Sequence, residues 1–457
     1  MRSCDPNRPA KTAKRKENTM GKNKIPETGI YDARQLGTGR MLLLGFQHMF
    51  AMFGATILVP ILTGLDVSNT LLFAGLGTLL FHLITGGKVP AFLGSSFAFL
   101  GGYATIAPML DGNQPNLAML PYACFGVACA GLVYVILAGL FKAFGAKKVM
   151  RFFPPIVTGP IIILIGLNLS GTAIGNASTN WWLALVAIAV IIVANIWGKG
   201  MIKIIPILLG VVVSYVVALI TGQVDFAAMR EADIVGLQQF VIAKFDITSI
   251  LVMAPIAIAA MMEHIGDISA ISSTTGKNFI EDPGLHRTLL GDGLATAFAG
   301  MFGGPANTTY GENTGVLALS KVYDPRVIRL AALYAIILSF SPKFDALVNS
   351  IPTAIVGGVS FVLYGMISAV GVRNVVENRV DLTKSRNLII AAVIFVSGLG
   401  FSSTGGITFT VGSADITLTG LAIAALAGVL LNAILPGNDY EFGTSVEGDK
   451  SADLGSY

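Results

Sequence analysis

Long runs of apolar residues, repeated along nearly the whole chain, restrict this sequence to one kind of fold. Hydrophobic residues make up 54% of the 457 residues and charged residues only 12%, whereas an ordinary soluble domain has roughly 25% charged residues. A helix that crosses a bilayer needs about 20 mostly apolar residues, because its backbone groups must be paired within the segment. The sequence therefore predicts an all-α polytopic membrane protein.

Fourteen apolar segments can be distinguished, separated by charged or Gly- and Pro-rich breaks. A polar interval at 223–246 divides them into two sets of seven. The segments lie at about 41–64, 70–86, 91–109, 119–143, 153–174, 181–197, 202–222, 247–271, 287–304, 305–320, 327–345, 352–371, 387–402 and 415–435.

The distribution of Lys and Arg tests this count of spans. With fourteen spans, the loops on the side of the N-terminus contain sixteen basic residues and the opposite loops contain three, while ten more lie in the first 40 residues. We therefore predict cytoplasmic tails at 1–40 and 436–457. The basic tail, which starts at Met1 or Met20, has no apolar stretch typical of a signal peptide. It either contacts anionic lipid or stays solvated.

Two interrupted segments indicate where a substrate would bind. An odd number of spans gives the two halves opposite orientations, so similar halves form a 7+7 inverted repeat. The third segment of each half, VPAFLGSSFAF at 89–99 and GGPANTTYGEN at 303–313, is broken by Pro, Gly and small hydroxyl residues. Irregular backbone at membrane depth is tolerated only where protein buries it or water lines it. The paired breaks predict a site at the middle of the membrane, with two ordinary kinks as the alternative.

Acidic residues inside the apolar segments strengthen this prediction. Glu263, Asp267 and Glu312 lie there, and a carboxylate at that depth usually marks a substrate, ion or proton path rather than a structural contact. Glu263 and Asp267 are four residues apart and share a helix face. This pair suits a proton-coupled carrier, and its oxygens would also suit a sodium ion. The residues alone do not distinguish proton coupling from sodium coupling.

The same groups suit a nucleobase as the ligand. A carboxyl group that holds a proton donates one hydrogen bond and accepts another, which matches the adjacent N–H and C=O groups of a base edge. The rings of Phe97 and Tyr310 either stack on a flat base or simply pack. His48 and His82 are candidate proton relays or substrate contacts, with a backbone-bonded neutral His as the alternative. Asp292 is expected to cap or brace a neighbouring helix.

Other classes of function have little support in the sequence. The three cysteines, Cys4, Cys124 and Cys129, show no metal-ligand spacing and no disulfide framework, so neither a metal nor another cofactor is expected. The net charge of +4 comes from basic tails and loops, so no nucleic-acid partner is predicted. The chain contains no Walker motif, zinc motif or catalytic triad that would indicate a pump or an enzyme.

Six motifs occur in order between about residues 41 and 435. They are QHMFAMFGATILVP at 47–60, GSSFAF at 94–99, EHIG at 263–266, DPGLHR at 282–287, NTTYGEN at 307–313 and GGVSFVLYG at 357–365. Together they resemble the nucleobase–ascorbate transporters, also called nucleobase:cation symporters of the second class, and within that family the bacterial uracil permeases.

The resemblance implies a particular arrangement of the spans. It implies fourteen spans in a 7+7 inverted repeat, with short antiparallel β-strands in segments 3 and 10. A core domain would comprise 41–143 (spans 1–4) and 247–345 (spans 8–11). A gate domain would comprise 144–222 (spans 5–7) and 352–435 (spans 12–14).

The resemblance also implies a substrate site between the two strands and span 8. Its substrate-binding residues would be Glu263, Glu312, the backbones of Phe97 and Gly311, and the pocket-lining Tyr310, Tyr364 and Ala55. Proton coupling would use Asp267, Glu263, Glu312 and His48. A homodimer rests on the resemblance alone.

One departure from the family pattern bears on the substrate. Uracil permeases of this kind can carry His where this chain has Asp267, which looks more like the purine branch, but that branch usually has Gln at the position of Glu312. We predict a proton symporter that imports uracil or a close nucleobase across the cell membrane. The alternatives are a xanthine or urate permease, a sodium-coupled carrier, and a channel or non-transporting nucleobase-binding protein.

Overall fold

Helices make up most of the chain in the computed structural model, which describes residues 29–110, 114–411, 414–438 and 440. The first half contains a 3₁₀ helix (Ala33–Leu36), α1 (Thr38–Thr56), α2 (Leu58–Thr63), α3 (Val67–Ile84), β1 (Leu93–Ser95), a 3₁₀ turn (Phe97–Phe99), α4 (Leu100–Ile106), α5 (Leu120–Phe144), α6 (Ala146–Met150), α7 (Pro155–Asn168), α8 (Ser170–Ser178), α9 (Trp181–Ile196), α10 (Met201–Ile204), α11 (Pro206–Ile220) and α12 (Ala227–Glu231).

The second half follows the polar interval that the sequence indicates. Its elements are α13 (Ile247–Thr275), a π-helical turn (Ile280–Gly284), α14 (Leu285–Met301), β2 (Asn307–Thr309), α15 (Gly311–Ser320), α16 (Pro325–Ser339), α17 (Pro342–Asn349), α18 (Thr353–Glu377), α19 (Ser385–Ser403), β3 (Ile407–Val411), β4 (Ala414–Leu418) and α20 (Gly420–Ile434).

Several of these helices can span a bilayer. Among the described residues, seven helical stretches are long and apolar enough, two of them formed by α1 with α2 and by α7 with α8, or eight if the bent pair α16 and α17 counts as one span. α9, α11 and α20 are apolar but shorter, at 16, 15 and 15 residues. The predicted multi-pass helical architecture is therefore present, and the count of fourteen spans stays a prediction.

Two regions differ from the predicted spans. Strands β3 and β4 pair antiparallel, with Ile407 opposite Leu418, so segment 14 becomes helical only at Gly420. Thr alternates with apolar residues in this stretch, a period of two that favours a strand. Segment 11 bends by 88° between α16 and α17, because Pro342 lacks the N–H needed to continue a helix and instead starts α17.

The interrupted segments 3 and 10 meet at the strands that the family resemblance implies. β1 and β2 are antiparallel, with Leu93 opposite Thr309 and Ser95 opposite Asn307. The N–H of Tyr310 donates to the carbonyl of Phe92 at 3.1 Å and extends this ladder. The backbone groups that the breaks free from helices are thus paired with each other.

A buried threonine on a neighbouring helix holds one end of each strand. Thr78 of α3 accepts the N–H of Leu93 at 2.9 Å, and Thr296 of α14 accepts the N–H of Asn307 at 3.1 Å. Both hydroxyls also donate to the carbonyl of the residue that they bind. The two strands are therefore fixed to their flanking helices in the same way.

The helix packing pairs elements from both halves of the chain. α3 packs against α14 and α16, and α5 packs against α13 and α14. α18 packs against α7, α8 and α9, while α19 packs against α20 and α7. Fewer contacts, such as those of α13 with α20 and of α1 with α11, join the first group to the second.

Candidate substrate site at the paired strands

α13 passes beside β2 and α15 and brings its acidic residues to the paired strands. Glu263 is half-buried, and its Oε2 is buried without a hydrogen-bond partner among the described residues. A buried carboxylate oxygen is costly to leave unpaired. Glu263 therefore has an unfilled hydrogen-bonding position at the paired strands, and the carboxylate oxygens of Asp292 on α14 likewise have no hydrogen-bond partner among the described residues.

Asp267 lies one helical turn further along α13 and faces the junction of β2 and α15. The hydroxyl of Thr309 donates to its Oδ2 at 2.9 Å. A Cβ atom placed on Gly311 would lie 3.5 Å from its Oδ1. Because Gly311 has no side chain, it leaves space next to the Asp267 carboxylate.

Glu312 lies in the first turn of α15. Tyr310 precedes this helix, and Gly311 is its first residue. The N-terminus of a helix carries partial positive charge, which favours a carboxylate there. Glu312, Glu263 and Asp267 are close enough for their charges to interact. The structure therefore brings together the three carboxylates that the sequence singles out.

A buried contact between a histidine and an aspartate lies next to this cluster. His264 Nδ1 is 3.2 Å from Asp292 Oδ2, and both side chains are fully buried. His264 Nδ1 is also 3.5 Å from the hydroxyl of Thr309. The contact joins α14 to α13, and the bracing role of Asp292 stays a prediction. His264 is not among the predicted site residues, although its position directly after Glu263 could have indicated it.

Two aromatic residues meet at the edge of the strand pair. Phe97, in the turn after β1, and Tyr364, on α18, have ring centroids 5.9 Å apart with planes inclined at 72°. Both side chains are buried. This contact joins segment 3 to segment 12, which the resemblance assigns to different domains.

The remaining predicted pocket residues are packed into the wall. The Tyr310 hydroxyl donates to the carbonyl of Ser95 at 2.8 Å, and its ring lies against Gly94, where an added Cβ would come within 2.5 Å. Ala55, near the end of α1, is also buried. Tyr310 therefore holds the strands together through its hydroxyl, a role that the sequence did not indicate.

The two histidines of the first half have different partners. His48 of α1 lies beside Asn313, whose side-chain amide is 3.2 Å from His48 Nδ1 and donates to the His48 carbonyl at 3.1 Å. His48 therefore contacts the residue after Glu312. The Nε2 atom of His82 lies 2.9 Å from the carbonyl of Ala91. His82 therefore fits the alternative of a histidine bonded to the backbone.

This combination defines a class of protein. Multiple apolar helices surround two broken segments, and unpaired carboxylate oxygen is available where the breaks meet, as expected of a membrane permease rather than an enzyme. The profile of the Permease family (Xan_ur_permease) matches residues 39–406. The chain belongs to that family, and the family resemblance of its motifs is confirmed.

Comparison with individual proteins supports the same assignment. The chain is 44% identical over 414 residues to "Uracil permease" of Bacillus caldolyticus, covering 87% of this chain and 93% of that one. It is 39% identical over 424 residues to "Probable uracil permease" of Haemophilus influenzae, covering 91% and 98%.

A solved structure of SLC26A9 has a similar fold. The match has a TM-score of 0.63 at 14% identity and covers 88% of this chain and 66% of the SLC26A9 chain. This chain therefore spans just under two thirds of that protein. At this identity the likeness shows a shared fold alone.

Proposed function

We propose that this chain is a secondary transporter that imports uracil, or a closely related nucleobase, by proton symport across the cell membrane. The convergence of Glu263, Asp267 and Glu312 at the paired strands carries the proposal. The relatives named uracil permeases, which match most of the chain, favour uracil as the substrate.

Recognition of the base rests on hydrogen bonds from the two glutamates. The free Oε2 of Glu263 offers a position for a ring N–H or carbonyl. Glu312, in the first turn of α15, is the second carboxyl group that we assign to the base. Two carboxyl groups can therefore read two edges of one pyrimidine. The backbones of Phe97 and Gly311 complete this contact set, and Tyr310, Tyr364 and Ala55 line the pocket.

We assign proton coupling to the cluster of Glu263, Asp267 and Glu312. Within it, Asp267 is the carboxyl group that does not bind the base. Its bond to Thr309 links its protonation to the position of β2. His48 contacts the same helix as Glu312 through Asn313. Sodium coupling is the competing proposal, because carboxylate oxygens also suit a hard cation, and replacing sodium in transport assays separates the two.

The packing pattern supports fourteen spans in two inverted repeats. In an inverted repeat, each segment corresponds to the one seven places away, so a contact between two segments should recur between their counterparts. The contact of α3 with α16 recurs as that of α14 with α5, and the contact of α11 with α9 recurs as that of α20 with α19. Thr78 and Thr296 hold their strands in the same corresponding manner. Such repeats with seven spans each place both termini on one side, which the distribution of Lys and Arg assigns to the cytoplasm.

The same contacts support the division into a core domain (41–143 and 247–345) and a gate domain (144–222 and 352–435). The carboxylates lie in the first domain, and Phe97 meets Tyr364 across the boundary. Movement of one domain against the other would expose the base to each side in turn. A homodimer stays a prediction.

Equilibrium binding of labelled uracil to the purified protein tests the site. We expect Glu263→Gln and Glu312→Gln to weaken binding at least tenfold, while Glu231→Gln, on the exposed short helix α12, binds like the wild type. Competition by xanthine and urate stronger than that by other pyrimidines would transfer the assignment to purines. Wild-type binding in both site variants would overturn the assignment of the glutamates.

A further inference from the structure

A cavity of about 740 Å³ lies outside the carboxylate site, where α3, α13 and α15 end and α16 begins. One wall is the segment 29–36 that precedes α1, which we call the arm. Residues after α3, after α13 and before α16 form the other walls. The cavity, called here the arm cavity, has the size of an ordinary small-molecule site.

Four acidic residues line the arm cavity. Asp32, Asp282 and Asp324 have charged or backbone partners, whereas the Glu281 carboxylate accepts from the Asn278 side-chain amide at 3.3 Å and forms no ion pair among the described residues. Asp32 pairs with Arg34 at 2.8 Å and with Arg326 at 2.9 Å, and Asp282 pairs with Lys88. The hydrogen bond from Arg34 lowers the pKa of Asp32 to about 2, so this carboxyl group stays ionised and paired at neutral pH. Asp324 accepts the backbone N–H groups of Ala33 at 2.7 Å and of Arg326 at 2.9 Å.

Two cations of the arm cavity lack such a partner. Neither Arg329 nor Lys277 forms an ion pair with a carboxylate within the described parts of the chain. Arg329 extends across Gly87, with Nη1 3.5 Å from where a Cβ atom would be. Lys277 has Nζ 4.4 Å from the centroid of the Tyr31 ring. The cavity lining contains five basic and four acidic residues. Two of its cations, Arg329 and Lys277, have no ion-pair partner among the described residues and share the cavity with an aromatic surface.

The aromatic surface consists of Tyr31 and Tyr323, whose ring centroids are 5.4 Å apart. The Tyr31 hydroxyl donates to the carbonyl of Thr275 at the end of α13. Ile30 exchanges backbone hydrogen bonds of 2.8 Å with Lys321 and Tyr323, just after α15. A ligand in the arm cavity would thus touch the ends of both helices that carry the deep carboxylates.

We propose that the arm cavity binds a phosphate group through Arg329 and Lys277. Guanidinium and ammonium groups form strong charge-assisted bonds to phosphate oxygens, and the guanidinium fork can bind two oxygens at once. The phosphate comes either from a soluble phosphate or nucleotide or from the headgroup of an anionic lipid, since both present the same oxygens. This binding does not depend on the proposed transport of uracil.

The test uses the full-length protein in lipid nanodiscs. Inorganic phosphate and uridine monophosphate are titrated calorimetrically in phosphatidylcholine discs, and unfolding temperatures are compared with discs that also contain phosphatidylglycerol. The variants are Arg329→Gln, Lys277→Gln and their combination, with Arg329→Lys as the charge-conserving change. Lys142→Gln, in the last turn of α5 and outside the cavity lining, is the matched control.

A soluble source predicts saturable binding in phosphatidylcholine discs that weakens at least tenfold in the double variant and persists in the control. A lipid source predicts stabilisation by phosphatidylglycerol alone, lost in the same variant. The proposal is overturned if the wild type responds to none of the three, or if the double variant responds as the wild type does. Labelled uracil binding, measured in parallel, is expected to stay unchanged, which keeps this test separate from that of the substrate site.

Discussion

The hydroxyl of Thr309 donates to Oδ2 of Asp267 over 2.9 Å and so ties strand β2 to helix α13. Thr309 comes from a segment whose helix is broken, and Asp267 is an acidic residue within an otherwise apolar helix. Because the bond joins the strand pair to the acidic cluster, movement of either element changes the surroundings of Asp267.

Removing this hydroxyl should impair transport. Thr309→Val keeps the shape of the side chain but deletes a hydrogen bond to a carboxylate, a contact worth about 1.5–3 kcal/mol, so we expect uracil uptake to fall about tenfold or more. Thr308→Val is the matched control, since the Thr308 hydroxyl is buried without a partner among the described residues. Equal initial rates for the two variants in proteoliposomes would contradict the role given to Thr309.

Two glycines beside the strands should respond differently to alanine. In Gly94→Ala the new Cβ meets the Tyr310 ring at 2.5 Å and the Thr56 hydroxyl at 2.8 Å, so we expect loss of folded protein on size-exclusion chromatography. Gly311→Ala has no contact closer than 3.5 Å and should fold normally while binding uracil more weakly. A well-folded Gly94→Ala variant with wild-type thermal stability would show that this packing is wrong.

The threonines that hold the strands should be equally important for stability. Thr78→Val and Thr296→Val each leave a buried backbone N–H without its acceptor, at a cost of about 1–3 kcal/mol. We expect both to lower the unfolding temperature in detergent by similar amounts. Ser214→Ala, which removes a buried hydroxyl without a partner among the described residues, should change it little. A large effect on one side only would argue against equivalent repeats.

The buried pair of His264 and Asp292 should behave as one unit. Removing one partner leaves the other buried polar group without this contact, at a cost of about 1–3 kcal/mol. We therefore expect His264→Ala and Asp292→Ala to be destabilising and the double variant to be less so than their sum. Additive shifts of the unfolding temperature would show that the 3.2 Å contact carries no coupling.

Much of this architecture follows from local sequence patterns. Apolar length predicts the helices, and the Pro and Gly residues at 303–306 predict the break that β2 occupies. The depth of Glu263, Asp267 and Glu312 predicts their convergence, since a carboxylate in hydrocarbon needs a polar environment. These signals are local and strong because the bilayer penalises any unpaired polar group.

The remaining features depend on contacts between distant segments. The hydroxyl of Tyr310 could have faced a ligand, but its bond to Ser95 is set by the pairing of segments far apart in the chain. The same holds for Thr296, one of many membrane threonines with no distinguishing neighbour. The sequence of the strand pair β3 and β4 has a visible two-residue period, but its apolar residues also fit the end of a membrane segment.

Uptake of labelled uracil into proteoliposomes under an imposed proton gradient tests the central claim most directly. We expect the wild type and Glu231→Gln to accumulate uracil, a protonophore to abolish accumulation, and Glu263→Gln and Glu312→Gln to show none. Accumulation at the wild-type rate in both site variants, or accumulation that follows a sodium gradient and ignores the proton gradient, would contradict this account.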